Sequence, residues 1–423
     1  MIPWHLDGEA ARDVIESLRS GIPPRRFVSC YSSGHDAFID DVRRRQFQSP
    51  STRGKIRFIS GSWGSGKTHM LRLLREAAFE AGYLVSTVEL SADQTPFNKF
   101  EQVFFDIVRN VTSPAMYAEG DLHHAAPFGE VLRRTLLGPE AGRHEDVTHD
   151  RFREASEALF THSGIDIDVR RLIVRYWETF LPEGGDSIAR EDVRGQIVQW
   201  FAGEGSLSSY RTPFQVQKTV TRGNARLLFQ SLSRFARHAG YRGLVVLFDE
   251  AEMSYSVMRR SNLKEAHNNL LHLINSISES DGAFLIYAAT PDFFIDERHG
   301  IVIYGALAQR IGQPSFTPPR ALDRIWNLDA LETRPEDYLD AARKIREIYL
   351  LAELDAVNTV LADGVLRRRI AELVRVHPEF SHVSTWRVVI TGTIKELDRS
   401  GDGDDEPPVE RLHADILAQL REQ

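Results

Sequence analysis

Residues 61–68 read Gly61-Ser62-Trp63-Gly64-Ser65-Gly66-Lys67-Thr68, which satisfies G-x-x-x-x-G-K-[ST] in full. Such a stretch can hold a polyphosphate. Its glycines let backbone N–H groups wrap phosphate oxygens at a helix N-terminus, where free donors and the helix dipole favour anions. Lys67 would reach the β- and γ-phosphates, the Thr68 hydroxyl would ligate Mg²⁺, and His69 completes the candidate contact set. A second set lies far along the chain, where the apolar run Leu244–Phe248 ends in Asp249 and Glu250. Asp249 can hold Mg²⁺ directly or through water, and Glu250 can polarise the attacking water. A glutamate at this point favours hydrolysis over nucleotide binding alone. Thr290 ends a further apolar run, Ala283–Thr290, and its hydroxyl could sense the γ-phosphate or position the water.

For these groups to meet, each must stand at the end of a strand. Lys55–Ser60 reads as a strand entering the glycine-rich turn. His69–Ala81 follows helical spacing, with Met70, Leu71, Leu73, Leu74 and Ala77 on or near one face. Tyr83–Leu90, Gly243–Asp249 and Ala283–Thr290 read as further strands, with the helix-like Asn262–Ser278 between the last two, and Arg324–Leu331 as a fifth. Unalternating apolar strands separated by helices indicate a parallel sheet covered on both faces. The expected fold class is therefore α/β, a P-loop nucleotide-binding core with a five-stranded parallel sheet. The expected core comprises residues 51–93 and 226–331, interrupted by a mostly helical insertion at 94–225. An N-terminal helical segment (1–50) precedes it. A helical C-terminal domain (332–400) follows, then an acidic linker and terminal helix (401–423).

Composition narrows the function further. An apolar fraction of 42% with 26% charged residues is that of an ordinary globular protein, and the net charge of −8 gives no global pull toward nucleic acid. Cys30 is the single cysteine, which excludes an internal disulfide framework and a multi-cysteine zinc site. The N-terminus lacks the basic region and apolar run of a secretory signal, and no apolar run approaches the roughly 20 residues of a membrane span. A cytoplasmic protein without a membrane partner is expected. His123-His124 and the stretch Arg143–Asp150 carry possible metal ligands. The spacing of His144 and His149, however, sets their rings about 140° apart on a helix, so a polar loop is the better reading. Arg43–Arg45 and Arg367–Arg369 are basic clusters without interleaved aromatics; they leave DNA open as a partner without requiring it. Asn98–Glu101 resembles a guanine-specificity motif only loosely and precedes the second acidic set, so ATP is the expected nucleotide.

Asp249-Glu-Ala-Glu252 and Ala288-Ala-Thr290 are similar to motifs of DEAD/DEAH helicases, and Gln309–Gly312 is similar to a third. Arg310 nevertheless follows Thr290 by only 20 residues, too few for the second domain a helicase needs. The arrangement instead resembles the AAA+ superfamily. By that resemblance Gly61–Thr68 is Walker A, Leu244–Glu250 is Walker B and Thr290 is sensor 1. Arg310, with Arg298 and Arg320 in reserve, would be an arginine finger, Arg387 a sensor 2 arginine, and Pro335–Leu351 the start of the helical lid. A finger acting on a neighbouring subunit implies a homo-oligomer. The 181 residues from Thr68 to Asp249 exceed a minimal AAA+ module, and the insertion accounts for them. Ala11–Arg25, with its Leu-Arg-Ser-Gly-Ile-Pro core, resembles the opening of the ATP-binding proteins of bacterial phage-exclusion (BREX) systems. That resemblance implies an antiphage-defence ATPase working with other proteins of its system.

Overall fold

The computed structural model describes residues 6–91, 93–121, 125–138, 147–182, 186–250, 258–353, 360–378 and 381–422. Its six strands are β1 (Lys55–Ser60), β2 (Leu84–Glu89), β3 (Val111–Thr112), β4 (Leu244–Asp249), β5 (Ala283–Ala289) and β6 (Ile325–Asn327). They form one mixed sheet in the order β3-β2-β4-β5-β1-β6. β2 runs parallel to β4, from Leu84 opposite Leu244 to Glu89 opposite Asp249. β4 runs parallel to β5, from Leu244 opposite Ala283 to Phe248 opposite Tyr287. Every residue of β4 and β5 is buried, as unalternating apolar strands demand of a sheet covered on both faces.

The expected count of five strands is corrected to six. The additional strand, β3, lies within the 94–225 segment and pairs antiparallel with β2, Val85 opposite Thr112. It is also the exception to an otherwise parallel expectation. Two residues are too few to carry a readable alternation, and the pairing rather than the sequence makes them a strand. β6 is also shorter than Arg324–Leu331, because Leu328–Ala330 turns into a 3₁₀ helix.

The chain separates into two compact units, one of residues 1–46, 60–77 and 315–423, the other of residues 47–59 and 78–314. In the first, the helix Gly8–Arg19 buries Ala11, Val14, Ile15 and Leu18, an i, i+3, i+4, i+7 stripe. Asp7 caps that helix, and Arg19 binds Asp398 at 2.6 Å. The helices Pro335–Ala352, Asp363–Val376, Thr385–Asp402 and Val409–Glu422 complete this unit. Arg369 and Glu396, both buried, join two of them at 2.7 Å.

The second unit holds the strands that end in acidic and hydroxyl groups. Rings from three of them meet: Phe58 of β1 lies 5.8 Å from Tyr287 of β5, and Tyr287 lies 5.6 Å from Phe248 of β4. Aromatic pairs at such distances add stabilisation of about 0.5–1.5 kcal/mol each beyond area burial, so this cluster fixes the strands side by side. The 94–225 segment is mostly helical, with Phe100–Arg109, Pro127–Leu137, Ile167–Glu178 and Ser187–Phe201 among its helices. Trp177, fully buried, donates its indole N–H to Leu132 O at 2.9 Å and ties two of these together.

Candidate functional site

β1 delivers the chain into the turn at Gly61, and the helix Lys67–Glu80 begins within the motif. Gly64 and Gly66 have φ of 78° and 91°, the left-handed region that a side chain disfavours, so the turn requires glycine at both. Met70 N–H donates to Gly66 O at 2.8 Å and Ser65 N–H to Ser62 O at 3.1 Å, which closes the loop onto the helix. Lys67 is buried, and its Nζ donates to Gly61 O at 2.9 Å and Ser62 O at 3.3 Å. The ammonium also lies 5.3 Å from the ring of Trp63, itself 67% exposed. A cation beside loop carbonyls and an aromatic face is placed where an anion could be bound. Thr68 follows it, partly exposed.

The same unit gathers residues around this loop that sequence spacing did not single out. The carboxylate of Asp329 accepts from Ser62 N–H at 2.9 Å and Ser62 Oγ at 2.8 Å. His69 contacts Tyr31 Oη at 3.3 Å and Ser32 Oγ at 3.0 Å. Burial first, then the nearby His35 and Arg72, push the His69 imidazole down to about 3, so it is neutral. Glu76, buried on the next turns of the same helix, accepts from Val28 N–H at 2.8 Å and Ser29 N–H at 3.0 Å. Residues 28–32 are thus fastened to the loop's helix at two levels. On the other side, a Cβ at Gly64 would sit 3.4 Å from Ser384 Cβ. Ser384 caps the helix Thr385–Asp402 by accepting from Arg387 N–H, and Arg387 itself is exposed. Trp386 lies 4.5 Å from Tyr338 and 6.5 Å from His35, ring to ring.

The second unit holds the remaining sequence candidates. Asp249, 7% exposed, ends β4 and accepts from Glu250 N–H at 2.9 Å. Glu250 is exposed and has φ of 53°. A left-handed conformation costs a non-glycine residue about 1–2 kcal/mol, and strain of this kind collects at functional turns. Thr290 is buried and follows β5 as the N-cap residue of the helix Pro291–Ile295, with its side chain making no capping hydrogen bond. Extending the β4–β5 register from Phe248 opposite Tyr287 brings Ala288 level with Asp249. Thr290 stands two residues farther along. Arg298, Arg310 and Arg320 are all exposed; Arg310 lies in the last turn of the helix Gly305–Ile311. The P-loop and Arg387 therefore belong to one unit, and Asp249, Glu250, Thr290 and Arg310 to the other.

His123, His124 and residues 143–146 lie outside the described residues, and no group of three or more His, Cys, Asp or Glu able to hold a metal ion occurs among those described. The basic clusters are largely neutralised: Arg43 pairs with Asp40, Arg44 and Arg45 with Asp41, Arg368 with Glu406 and Arg369 with Glu396. No helix among the described residues is long and apolar enough to cross a membrane. The family model described as BREX system ATP-binding protein BrxC/D matches residues 7–415. No match was found among curated proteins or among solved structures.

Proposed function

This chain belongs to the family of BREX system ATP-binding proteins BrxC/D, and on that premise we propose that it hydrolyses ATP as an AAA+ enzyme. The observation that carries this reading is the coincidence of a full phosphate loop after β1 with an acidic pair at the end of a wholly buried β4, β5 lying between the two strands. ATP with Mg²⁺ supplies the phosphoanhydride and the divalent charge when bound. Lys67, released from the loop carbonyls, neutralises the β- and γ-phosphates. The Thr68 hydroxyl and the Asp249 carboxylate would hold the metal, and backbone donors of 61–69 would orient the chain of phosphates. Glu250 takes up the proton of the attacking water, and Thr290 positions that water. Arg387 and an arginine finger, Arg310 in first place, stabilise transferred charge. The finger comes from a neighbouring subunit, which makes the working form a homo-oligomer. ATP turnover drives assembly or remodelling of a cytoplasmic defence complex with other proteins of the BREX system, with DNA as a further partner.

Replacing Glu250 by Gln keeps the metal ligands and removes the base, so ATP should still bind while phosphate release falls at least a hundredfold, the lower range for a positioned general base. Lys67→Ala should instead weaken ATP binding itself, by at least tenfold. Wild-type turnover in Glu250→Gln removes Glu250 from the mechanism. Binding without turnover in the wild-type chain, with DNA and partner proteins supplied, leaves a nucleotide-gated binding module in place of the enzyme.

A further inference from the structure

At the end of the sheet opposite Asp249, the chain leaves a trough of about 360 Å³ within the second unit. It lies at the N-terminal ends of β1, β4 and β5, where Lys55 and Ala283 begin two strands and Arg242 precedes the third. Arg53, Lys55, Arg237 and Arg242 line it, and among the described residues no Asp or Glu does. In a chain of net charge −8 that local balance is opposite to the whole. Asp281 stands beside the trough and pairs with Arg237 at 3.3 Å.

Local contacts position three of the four cations. Arg242 donates to Phe47 O at 3.4 Å, and its own carbonyl accepts from Arg237 at 3.4 Å. Lys55 Nζ lies 4.7 Å over the Phe284 ring. Burial, then the Arg57 charge, push the Lys55 ammonium down to about 8, and a phosphate beside it would favour its charged form. Arg53 and Thr52 on the rim are exposed.

We propose that this trough is a nucleic-acid contact in which Arg53, Lys55, Arg237 and Arg242 bind consecutive phosphates of a DNA backbone. Three of the four cations are arginines, whose planar forks match phosphate oxygens, and the Thr52 hydroxyl adds a neutral donor of the kind backbone contacts use. A site for a small ligand encloses most of it behind apolar walls. This one is lined by four cations, of which Arg53 and Arg242 are exposed to solvent. The inference deepens the DNA partner named in the proposed function and is independent of hydrolysis, because no residue lining the trough belongs to the candidate nucleotide site.

The test is fluorescence anisotropy of a labelled duplex of about 20 base pairs with the full chain, titrated across about 50–200 mM salt. Three to four phosphate contacts give a log–log salt slope of about −3 to −4, since each contributes about −0.9. Arg53→Glu with Arg242→Glu, both exposed, should make the slope shallower by about two and weaken binding at least tenfold. ATP binding by the same variant serves as the control for folding. Isotherms identical to wild type overturn the proposal. Saturation of the trough by inorganic phosphate with no DNA binding, or equal charge-dependent binding of polyglutamate, also overturns it, in favour of a small anion or an acidic protein.

Discussion

His69, the first residue after the P-loop, makes the stability of its unit depend on pH in a way that can be worked out. The ring is neutral because burial, His35 and Arg72 disfavour its charged form, which lowers its pKa from 6.5 to about 3. In the unfolded chain the same ring takes a proton near 6.5. Between those values the unfolded state holds more protons than the folded one, so stability rises with pH across the window and falls on acidification. The contribution is complete above about pH 6.5 and is lost progressively as pH drops toward 3. Each unit is worth about 1.4 kcal/mol. Taking the protein from pH 7.5 to pH 5 therefore costs about 2 kcal/mol through this residue alone. That figure hardly changes if the folded value lies a unit higher, because the ring is still almost wholly neutral at pH 5.

His69→Gln isolates the effect, since glutamine can contact Tyr31 and Ser32 without titrating. Urea unfolding followed by tryptophan fluorescence, run in parallel on both proteins, gives the difference between them at each pH. The wild type should lose about 2 kcal/mol relative to His69→Gln on going from pH 7.5 to pH 5, with half of that gone near pH 6. A difference that stays constant across the window refutes the reasoning. So does a histidine proton resonance for residue 69 that titrates above pH 6 in the folded chain, because the ring would then be open to water.

Three other outcomes are expected. Glu250→Gly relieves the left-handed strain and should raise stability by about 1 kcal/mol while abolishing turnover; a fall in the melting temperature would mean that the conformation carries no cost. Asp329→Ala releases Ser62 from its carboxylate, and the loosened loop should bind a fluorescent ATP analogue about tenfold more weakly, or about 1.4 kcal/mol. An unchanged Kd makes Asp329 incidental. Arg310→Ala should be inactive alone but regain turnover when mixed with a Lys67→Ala subunit, as a finger acting across subunits requires; full activity of Arg310→Ala by itself makes that arginine a surface residue.

The P-loop was legible because its chemistry is carried by consecutive backbone groups, so the residue types that permit the turn must also be consecutive. Asp249 and Glu250 were legible for a related reason: a strand buried on both faces shows itself in an unbroken apolar run, and a carboxylate pair at its end stands out. Neither argument reaches Asp329, which is 267 residues from Ser62, or Tyr31, 38 residues from His69. Those contacts exist because separate stretches pack into one unit, and no local spacing encodes them. β3 escaped for want of length, and its place is fixed by β2 rather than by Val111 and Thr112 themselves. The level of Thr290 was not legible either: the pairing of Phe248 with Tyr287 sets it two residues beyond Asp249. Strand order names the neighbouring strand but not the level along it, so this offset becomes legible only once the pairing is known.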